Sequence, residues 1–165
     1  MQNFGKIPVS WNMDNFKELP YKLDPDLIMC EEYVAVGHHL ESMKFYNCFE
    51  TDIGFSLDNI VKDFDFLSNI RIAVNLFTPG QYIPLHSDKY ERFSRLNKLS
   101  NLDSVVRIIL MLEDNVPGQF LQIEDKVIYS WQAGDWFAWK STARHAFYNF
   151  SKDNRYSLQI TGTLN

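Results

Sequence analysis

Beyond about residue 70, the chain consists of short runs rich in β-branched and aromatic residues, separated by turn signals such as Pro79-Gly80 and Pro117-Gly118. Runs bounded in this way are typical of β-strands. The pattern predicts eight strands, at 70–77, 81–87, 104–112, 119–124, 126–131, 135–140, 143–150 and 155–163. Eight short antiparallel strands in a chain of this size predict a mainly β fold, a jelly roll of two facing sheets.

The first part of the chain follows a different pattern. Several Gly and Pro turn signals predict an irregular arm over residues 1–30 that wraps the core, and apolar residues at helical spacing predict one short helix within 56–64. No repeat or flexible linker divides the chain. We therefore expect a single domain over 1–165, with an N-terminal arm and supporting helix and strands over 1–69 and the jelly-roll core over 70–163.

One long gap interrupts the strand pattern. Residues 88–103 are charged and contain no tight turn, so we expect a surface excursion there. Long connections in compact domains often serve as lids or binding loops, but a plain solvated connection fits this segment equally well.

Composition and charge narrow the class of function. The 165 residues include 16 Lys and Arg against 21 Asp and Glu, and the net charge of −5 argues against a nucleic-acid partner. The sequence has no apolar run long enough to span a membrane, and its first residues do not resemble a signal peptide. We therefore expect a soluble cytoplasmic protein with no membrane partner.

Three residues on the predicted strands form a candidate metal site. His86 and Asp88 lie two positions apart at the end of one strand, and His145 lies in a later strand. Two imidazoles and one carboxylate can form the facial triad of non-haem Fe(II) centres, which leaves positions open for a co-substrate and oxygen. Taken singly, each of these residues also fits an ordinary core or surface role. His38 and His39 are adjacent, would point to opposite faces of a strand, and receive no metal role.

Arg155 and Ser157 form a second candidate group at the start of the last predicted strand. Their spacing of two places both side chains on one face of the strand. An Arg fork with a neighbouring hydroxyl matches a carboxylate, so the pair fits the far end of a dicarboxylate such as 2-oxoglutarate. The alternative for Arg155 is a solvated charge beside a turn.

Taken together, the segment from His86 to Ser157 resembles the 2-oxoglutarate/Fe(II)-dependent dioxygenase superfamily, in particular its small prolyl- and aspartyl-hydroxylase-like members of bacterial or phage type. The likeness spans about residues 70–163 and implies a double-stranded β-helix, or cupin-like, core. It implies Fe(II) bound by His86, Asp88 and His145, with Arg155 and Ser157 anchoring 2-oxoglutarate. The implied activity is hydroxylation of an amino-acid, peptidyl or small-metabolite C–H bond, with consumption of oxygen and release of succinate and CO2.

Four further residues are weaker candidates. Asn75 is expected to donate to the C1 carboxylate of 2-oxoglutarate, or else to pair with backbone. Tyr82, four residues before His86, is expected to reach the co-substrate. Arg107 lies among apolar residues, so it would hold a substrate carboxylate or an internal acidic residue. Asn149 shares the strand face of His145 and is expected to contact the substrate or support the metal ligands.

Two other functional classes remain open on the sequence. The first is a cupin-type metalloenzyme that does not use 2-oxoglutarate, although Arg155 and Ser157 would then have no purpose opposite a metal. The second is a non-enzymatic β-sandwich binding module whose aromatic residues, 15% of the chain, recognise a partner.

Overall fold

The computed structural model describes residues 3–24 and 30–165, and this part of the chain is mainly β. Its strands are β1 (Phe4–Lys6), β2 (Lys22–Leu23), β3 (Tyr46–Phe49), β4 (Leu67–Phe77), β5 (Gln81–His86), β6 (Val105–Met111), β7 (Gln119–Ile123), β8 (Lys126–Ile128), β9 (Asp135–Lys140), β10 (His145–Asn149) and β11 (Arg155–Leu164). Its α-helices are α1 (Met13–Lys17), α2 (Cys30–Ala35), α3 (Asp58–Val61) and α4 (Glu91–Asn97). Short 3-10 helices cover Leu40–Met43, Glu50–Asp52 and Lys62–Phe64.

The strands form two facing antiparallel sheets. The major sheet has seven strands in the order β1-β9-β6-β11-β4-β3-β2, and the minor sheet has four in the order β5-β10-β7-β8. Strands β4 to β11 correspond one by one to the eight that the sequence pattern predicts. Apart from the β7–β8 hairpin within the minor sheet, successive strands alternate between the two sheets as in a double-stranded β-helix. The predicted mainly β, cupin-like jelly roll is confirmed.

The N-terminal region is more regular than expected. Strand β1 pairs with β9 at one edge of the major sheet, and β2 and β3 extend the other edge beyond β4. The described part of the arm expected over residues 1–30 therefore contains the short elements β1, α1 and β2 beside irregular stretches, and residues 25–29 of that arm lie outside the described part. Strands of two or three residues are too short to show an alternating pattern, so only pairing with the sheet defines them.

The main apolar core lies on the outer face of the major sheet, away from the minor sheet. The predicted helix within 56–64 is present as α3 and the following 3-10 turn, and it packs Ile60 and Phe64 against this face. Phe16 of α1 joins the same core. The major sheet is thus supported from outside, which leaves the space between the sheets for a smaller apolar cluster and for polar side chains.

The 88–103 connection is partly helical. Helix α4 buries Phe93, which packs with Tyr90 against Val105 at the start of β6. The connection is therefore anchored to the major sheet rather than being a plain solvated loop. None of the helices in residues 3–24 and 30–165 combines the length and apolar character needed to cross a bilayer.

Candidate active site

A β-bulge in β5 brings the two candidate metal-binding histidines together. His86 is paired with His145 across the β5–β10 ladder, whereas Ile83 is paired with Phe147, so Pro84 and Leu85 together oppose a single residue of β10. Strict alternation would put His86 on the face opposite to Ile83. The extra residue reverses this, and both imidazoles lie inside, with ring centroids 4.4 Å apart.

Asp88 completes the group from the segment that follows β5. His86 Nε2 lies 3.4 Å from Asp88 Oδ1, and His145 Nε2 lies 3.6 Å from Asp88 Oδ2. One ligand atom from each of the three residues lies within 4.8 Å of the other two. Within the described residues, this is the one group of three or more His, Cys, Asp or Glu side chains arranged closely enough to hold a metal ion.

The second nitrogen of each imidazole faces a backbone carbonyl. His86 Nδ1 lies 2.8 Å from Pro84 O, and His145 Nδ1 lies 3.3 Å from Ala143 O. A carbonyl oxygen only accepts, so Nδ1 carries the hydrogen in both rings and donates it. Each Nε2 then offers its lone pair towards Asp88, which is the tautomer and orientation that a metal ligand requires.

The electrostatics of the group also suit a cation. Burial lowers the pKa of His145 to about 4, so its ring is neutral at pH 7. Burial by itself would raise the pKa of Asp88, but the Arg107 guanidinium and the two imidazoles outweigh it and hold that pKa well below its usual value. One ionised carboxylate and neutral imidazole nitrogen are the protonation states that bind a divalent metal without displacing a proton.

Arg107 pairs with the candidate metal ligand Asp88. Its Nη2 lies 2.8 Å from Asp88 Oδ2, and its guanidinium lies 5.0 Å from the centre of the Tyr90 ring. Burial opposes the charge, but Asp88 raises the pKa of Arg107, which stays cationic. Of the two roles left open by the sequence, the structure therefore contains the pairing with an internal acid. The ion pair uses Nη2 of Arg107, and the contact with a substrate carboxylate stays a prediction.

Arg155 is a buried cation without an acidic partner among the described residues. Its side chain lies between aromatic rings, with the guanidinium carbon 4.9 Å from the Trp131 ring centre and 5.1 Å from that of Phe147. Nη1 donates to Phe120 O at 3.0 Å, whereas the buried Nε has no hydrogen-bond partner. Burial lowers the pKa of Arg155 to about 9, which still leaves it charged at neutral pH. The alternative of a solvated charge is therefore wrong.

Ser157 lies on the same inner face as Arg155. It is fully buried, and its Oγ has no hydrogen-bond partner. Two unpaired buried donors and a positive charge in one apolar space are costly unless a ligand satisfies them. An anionic group such as a carboxylate would satisfy all of them, so these residues fit the predicted dicarboxylate.

Asn75 lies beside Ser157 in the β4–β11 ladder and is also buried on the inner face. Its Nδ2 donates to Asn47 Oδ1 at 2.6 Å, and Asn47 in turn donates to the carboxylate of Asp24. The chain of side chains holds the amide of Asn75 in one orientation, with one N–H committed to Asn47. The alternative of a backbone partner is thus replaced by a side-chain partner.

Tyr82 points away from the space between the sheets. It is paired with Tyr148, and its ring stacks on that residue at 6.1 Å, while its hydroxyl lies 2.8 Å from His38 Nδ1. Its neighbour Ile83 faces inward with Phe147. The bulge that turns His86 inward begins only after Ile83, so the predicted contact of Tyr82 with the co-substrate is not supported by its position.

Asn149 is a structural residue. Its Nδ2 donates to Phe77 O at 2.8 Å and to Asp153 O at 2.9 Å, and its Oδ1 accepts from the backbone N–H and the hydroxyl of Ser151. All its polar groups are therefore used to shape the turn between β10 and β11. The predicted contact with substrate or metal ligands is corrected to a role in positioning that turn.

Trp139 is a neighbour of the site that the sequence analysis does not identify. Its ring centre lies 4.7 Å from that of His145, and it is paired with Arg107 across the β6–β9 ladder. Its buried Nε1 has no hydrogen-bond partner. A tryptophan in an apolar strand is typical of a core, and only the register of β6 against β9 reveals its place beside the histidines.

The comparisons with known proteins agree with this geometry. Residues 57–162 match the family model described as aspartyl/asparaginyl beta-hydroxylase. A prolyl-4-hydroxylase from Pseudomonas putida is 15% identical, with a TM-score of 0.56 over 92% of this chain and 96% of that chain, which shows a shared fold. No curated protein matches the sequence.

Two cupins are more distant structural matches. The cupin domain of a Schizosaccharomyces pombe protein is 11% identical, with a TM-score of 0.45 over 78% of this chain and 74% of that chain. A cupin protein from Bacteroides fragilis is 19% identical, with a TM-score of 0.41 over 65% and 73% of the two chains.

The resemblance expected from the sequence is confirmed by the family match. The matched segment contains both candidate groups, the one around His86, Asp88 and His145 and the one around Arg155. It also covers well over half of the chain. This protein belongs to the aspartyl/asparaginyl beta-hydroxylase family.

Proposed function

We propose that this protein is an Fe(II)- and 2-oxoglutarate-dependent oxygenase that hydroxylates a C–H bond of an amino acid, a peptidyl side chain or a small metabolite, using oxygen and releasing succinate and CO2. The observation that carries the proposal is that His145 of the metal-ligand group and the buried Arg155 both contact Phe147 between the two sheets. The ring centre of Phe147 lies 5.9 Å from that of His145 and 5.1 Å from the guanidinium carbon of Arg155. Within the proposed substrate classes, the family description favours an aspartyl or asparaginyl side chain.

In this proposal, His86, Asp88 and His145 hold Fe(II). The bound iron, with its co-substrate and oxygen, would supply the oxidation of the substrate C–H bond. The residues contribute two imidazole nitrogens whose orientation is set by Pro84 and Ala143, and one carboxylate kept ionised by Arg107. In this proposal Arg107 acts as the partner of Asp88.

Arg155 and Ser157 would bind the distal carboxylate of 2-oxoglutarate. Support for this role comes from the unpaired Arg155 Nε and Ser157 Oγ, and from the aromatic side chains that exclude water around them. A charge-assisted hydrogen bond is stronger where water is excluded. Asn75, held by Asn47 beside Ser157, is proposed as the donor to the C1 carboxylate. Tyr82 and Asn149 have no part in this cofactor site.

The test is an anaerobic titration with Fe(II) and then with 2-oxoglutarate. We expect one equivalent of iron to bind, followed by the weak visible absorption band produced when a 2-oxo acid chelates Fe(II). Arg155→Ala should bind iron normally but need at least about ten-fold more 2-oxoglutarate to develop the band, because a charged hydrogen-bonded contact is lost. Arg155→Lys, which keeps the charge but not the fork, should fall between the two.

The other outcomes identify the alternatives. Iron binding without a band at any concentration of 2-oxoglutarate would favour a cupin-type metalloenzyme that does not use this co-substrate. No stoichiometric iron binding would favour a non-enzymatic β-sandwich binding module. A positive titration would be followed by incubation in air with peptides that differ only in a central Asp, Asn or Pro, and the substrate would be recognised by succinate release and a mass gain of one oxygen atom.

A further inference from the structure

The connection between β2 and β3 links the edge of the major sheet to the edge of the minor sheet. Its described part contains α2 and the 3-10 helix Leu40–Met43, and it packs against β5. Two side chains of this connection form hydrogen bonds to residues of β5. The Tyr33 hydroxyl donates to Leu85 O at 2.9 Å, and His38 Nδ1 lies 2.8 Å from the Tyr82 hydroxyl.

The hydrogen bonds of Tyr33 and His38 hold different parts of β5. Tyr82 precedes the bulge and lies in the regular part of the β5–β10 ladder, paired with Tyr148. Leu85 is one of the two bulge residues, and β5 is the edge strand of the minor sheet as far as the structure describes the chain. A carbonyl at such a place lacks a regular ladder partner and has to be satisfied in another way. Tyr33 therefore supplies the hydrogen bond that the bulge itself cannot.

The same bulge orients His86. Its other residue, Pro84, accepts the hydrogen bond from His86 Nδ1, so the direction of the ring depends on where the bulge carbonyls lie. A bulge free to flatten would let β5 return to strict alternation, which would turn His86 out of the space between the sheets.

We infer that Tyr33 is a positioning residue for the metal centre, which acts by fixing the Pro84–Leu85 bulge and thereby the direction of His86. The inference rests on the proposed function in one respect, namely that His86 binds a metal. Tyr33 lies far from His86 in sequence, and the backbone of the bulge links the two residues, because Tyr33 donates to Leu85 O and His86 donates to Pro84 O.

The test compares Tyr33→Phe with Tyr21→Phe. Tyr33→Phe removes only the hydroxyl that binds Leu85. Tyr21→Phe is a matched control, because the Tyr21 hydroxyl also donates to a backbone carbonyl, Phe16 O at 2.7 Å, but within the core on the outer face of the major sheet. The readouts are the dissociation constant for Co(II), measured without any co-substrate, the visible spectrum of bound Co(II), and thermal stability.

We expect Tyr33→Phe to bind Co(II) about five-fold more weakly than the wild type, as the loss of one hydrogen bond predicts, and to shift the Co(II) spectrum. Tyr21→Phe should lose a similar amount of stability but bind Co(II) as the wild type does. His38→Phe keeps an aromatic ring beside Tyr33, where the His38 ring now lies 5.7 Å away, but removes the hydrogen bond to Tyr82. It should also bind Co(II) with nearly the wild-type affinity and spectrum.

Two results would overturn the inference, and they are distinguishable. If Tyr33→Phe loses stability like Tyr21→Phe but keeps the wild-type affinity and spectrum, Tyr33 has only a structural role and the metal centre stands. If the wild type itself binds no Co(II) and no Fe(II), the metal centre falls and the inference falls with it.

Discussion

His145 combines a proposed ligand role with almost complete burial, since only 4% of its side chain is exposed. His145→Gln should abolish stoichiometric Fe(II) binding and 2-oxoglutarate turnover. The circular dichroism spectrum should stay native, because backbone hydrogen bonds hold β10 between β5 and β7. His39→Gln is the matched control, because His39 is exposed. This variant should bind iron as the wild type does. Retained turnover in His145→Gln would remove His145 from the triad.

The same residue predicts a pH effect on the metal-free protein. The pKa of His145 is about 4 in the fold, against 6.5 for an ordinary histidine, because burial disfavours the charged ring. The unfolded chain therefore binds the proton first as the pH falls, so the wild type should lose stability between about pH 6.5 and pH 4. Relative to His145→Gln, the free energy of unfolding should drop by up to roughly 3 kcal/mol, measured by urea denaturation at each pH. A pH-independent difference would show that His145 is not held neutral by burial.

Arg155 illustrates a conflict between stability and ligand binding. Its charge is buried without a carboxylate partner within residues 3–24 and 30–165, and burial lowers its pKa to about 9. Arg155→Met, of similar length but uncharged, should raise the free energy of unfolding of the ligand-free protein by about 1 kcal/mol or more while abolishing the response to 2-oxoglutarate. Denaturant unfolding of both proteins without ligand tests this. A clear loss of stability in Arg155→Met would mean that the aromatic contacts of the guanidinium outweigh the cost of burying it.

At the level of the strand, β1 shows how a three-residue element is held. A Cβ added to Gly5 would lie 2.5 Å from Cζ2 of Trp136 on β9, so only glycine lets β1 approach that ring. Gly5→Ala should detach β1 and speed amide hydrogen exchange along β9. Gly54→Ala is the control, because nothing lies within 4 Å of the added atom. Equal exchange in the two variants would contradict the close approach.

The strand level is also where sequence reasoning about the site was incomplete. The positions of β4 to β11 follow from alternation and turn residues, but the bulge at Pro84 and Leu85 does not, because a single extra residue barely changes a short pattern. In a regular β5, Tyr82 and His86 would lie on the same face of the strand, because they are four residues apart. The bulge between them puts their side chains on opposite faces. The prediction for Asn149 differs from the structure for another reason. Its side chain makes four hydrogen bonds in the turn after β10, and the residue pattern of β10 does not encode the conformation of that turn.

At the level of the whole molecule, the proposed ligands would join the two sheets. His86 and His145 belong to the minor sheet, whereas Arg155 and Ser157 belong to the major sheet. A metal with a dicarboxylate should therefore stabilise the fold more than the metal alone, since it binds the native state through both sheets. Thermal unfolding with Mn(II), with and without 2-oxoglutarate, measures this. The additional increase in Tm should be absent in Arg155→Met, and an equal increase there would place the co-substrate elsewhere.

The amino-acid sequence by itself determined the mainly β class and the order and approximate bounds of the eight core strands, because alternation and turn residues are local properties. It also supplied the candidate residues of the proposed metal and carboxylate sites, since ligand chemistry can be recognised from residue type and spacing. The tertiary structure decided which side chains share a space. The pairing of Arg107 with Asp88, the aromatic surroundings of Arg155, the inward turn of His86 and the nearness of Trp139 to His145 all depend on register between strands distant in sequence. Register is set by packing of the whole sheet, and no single strand contains that information.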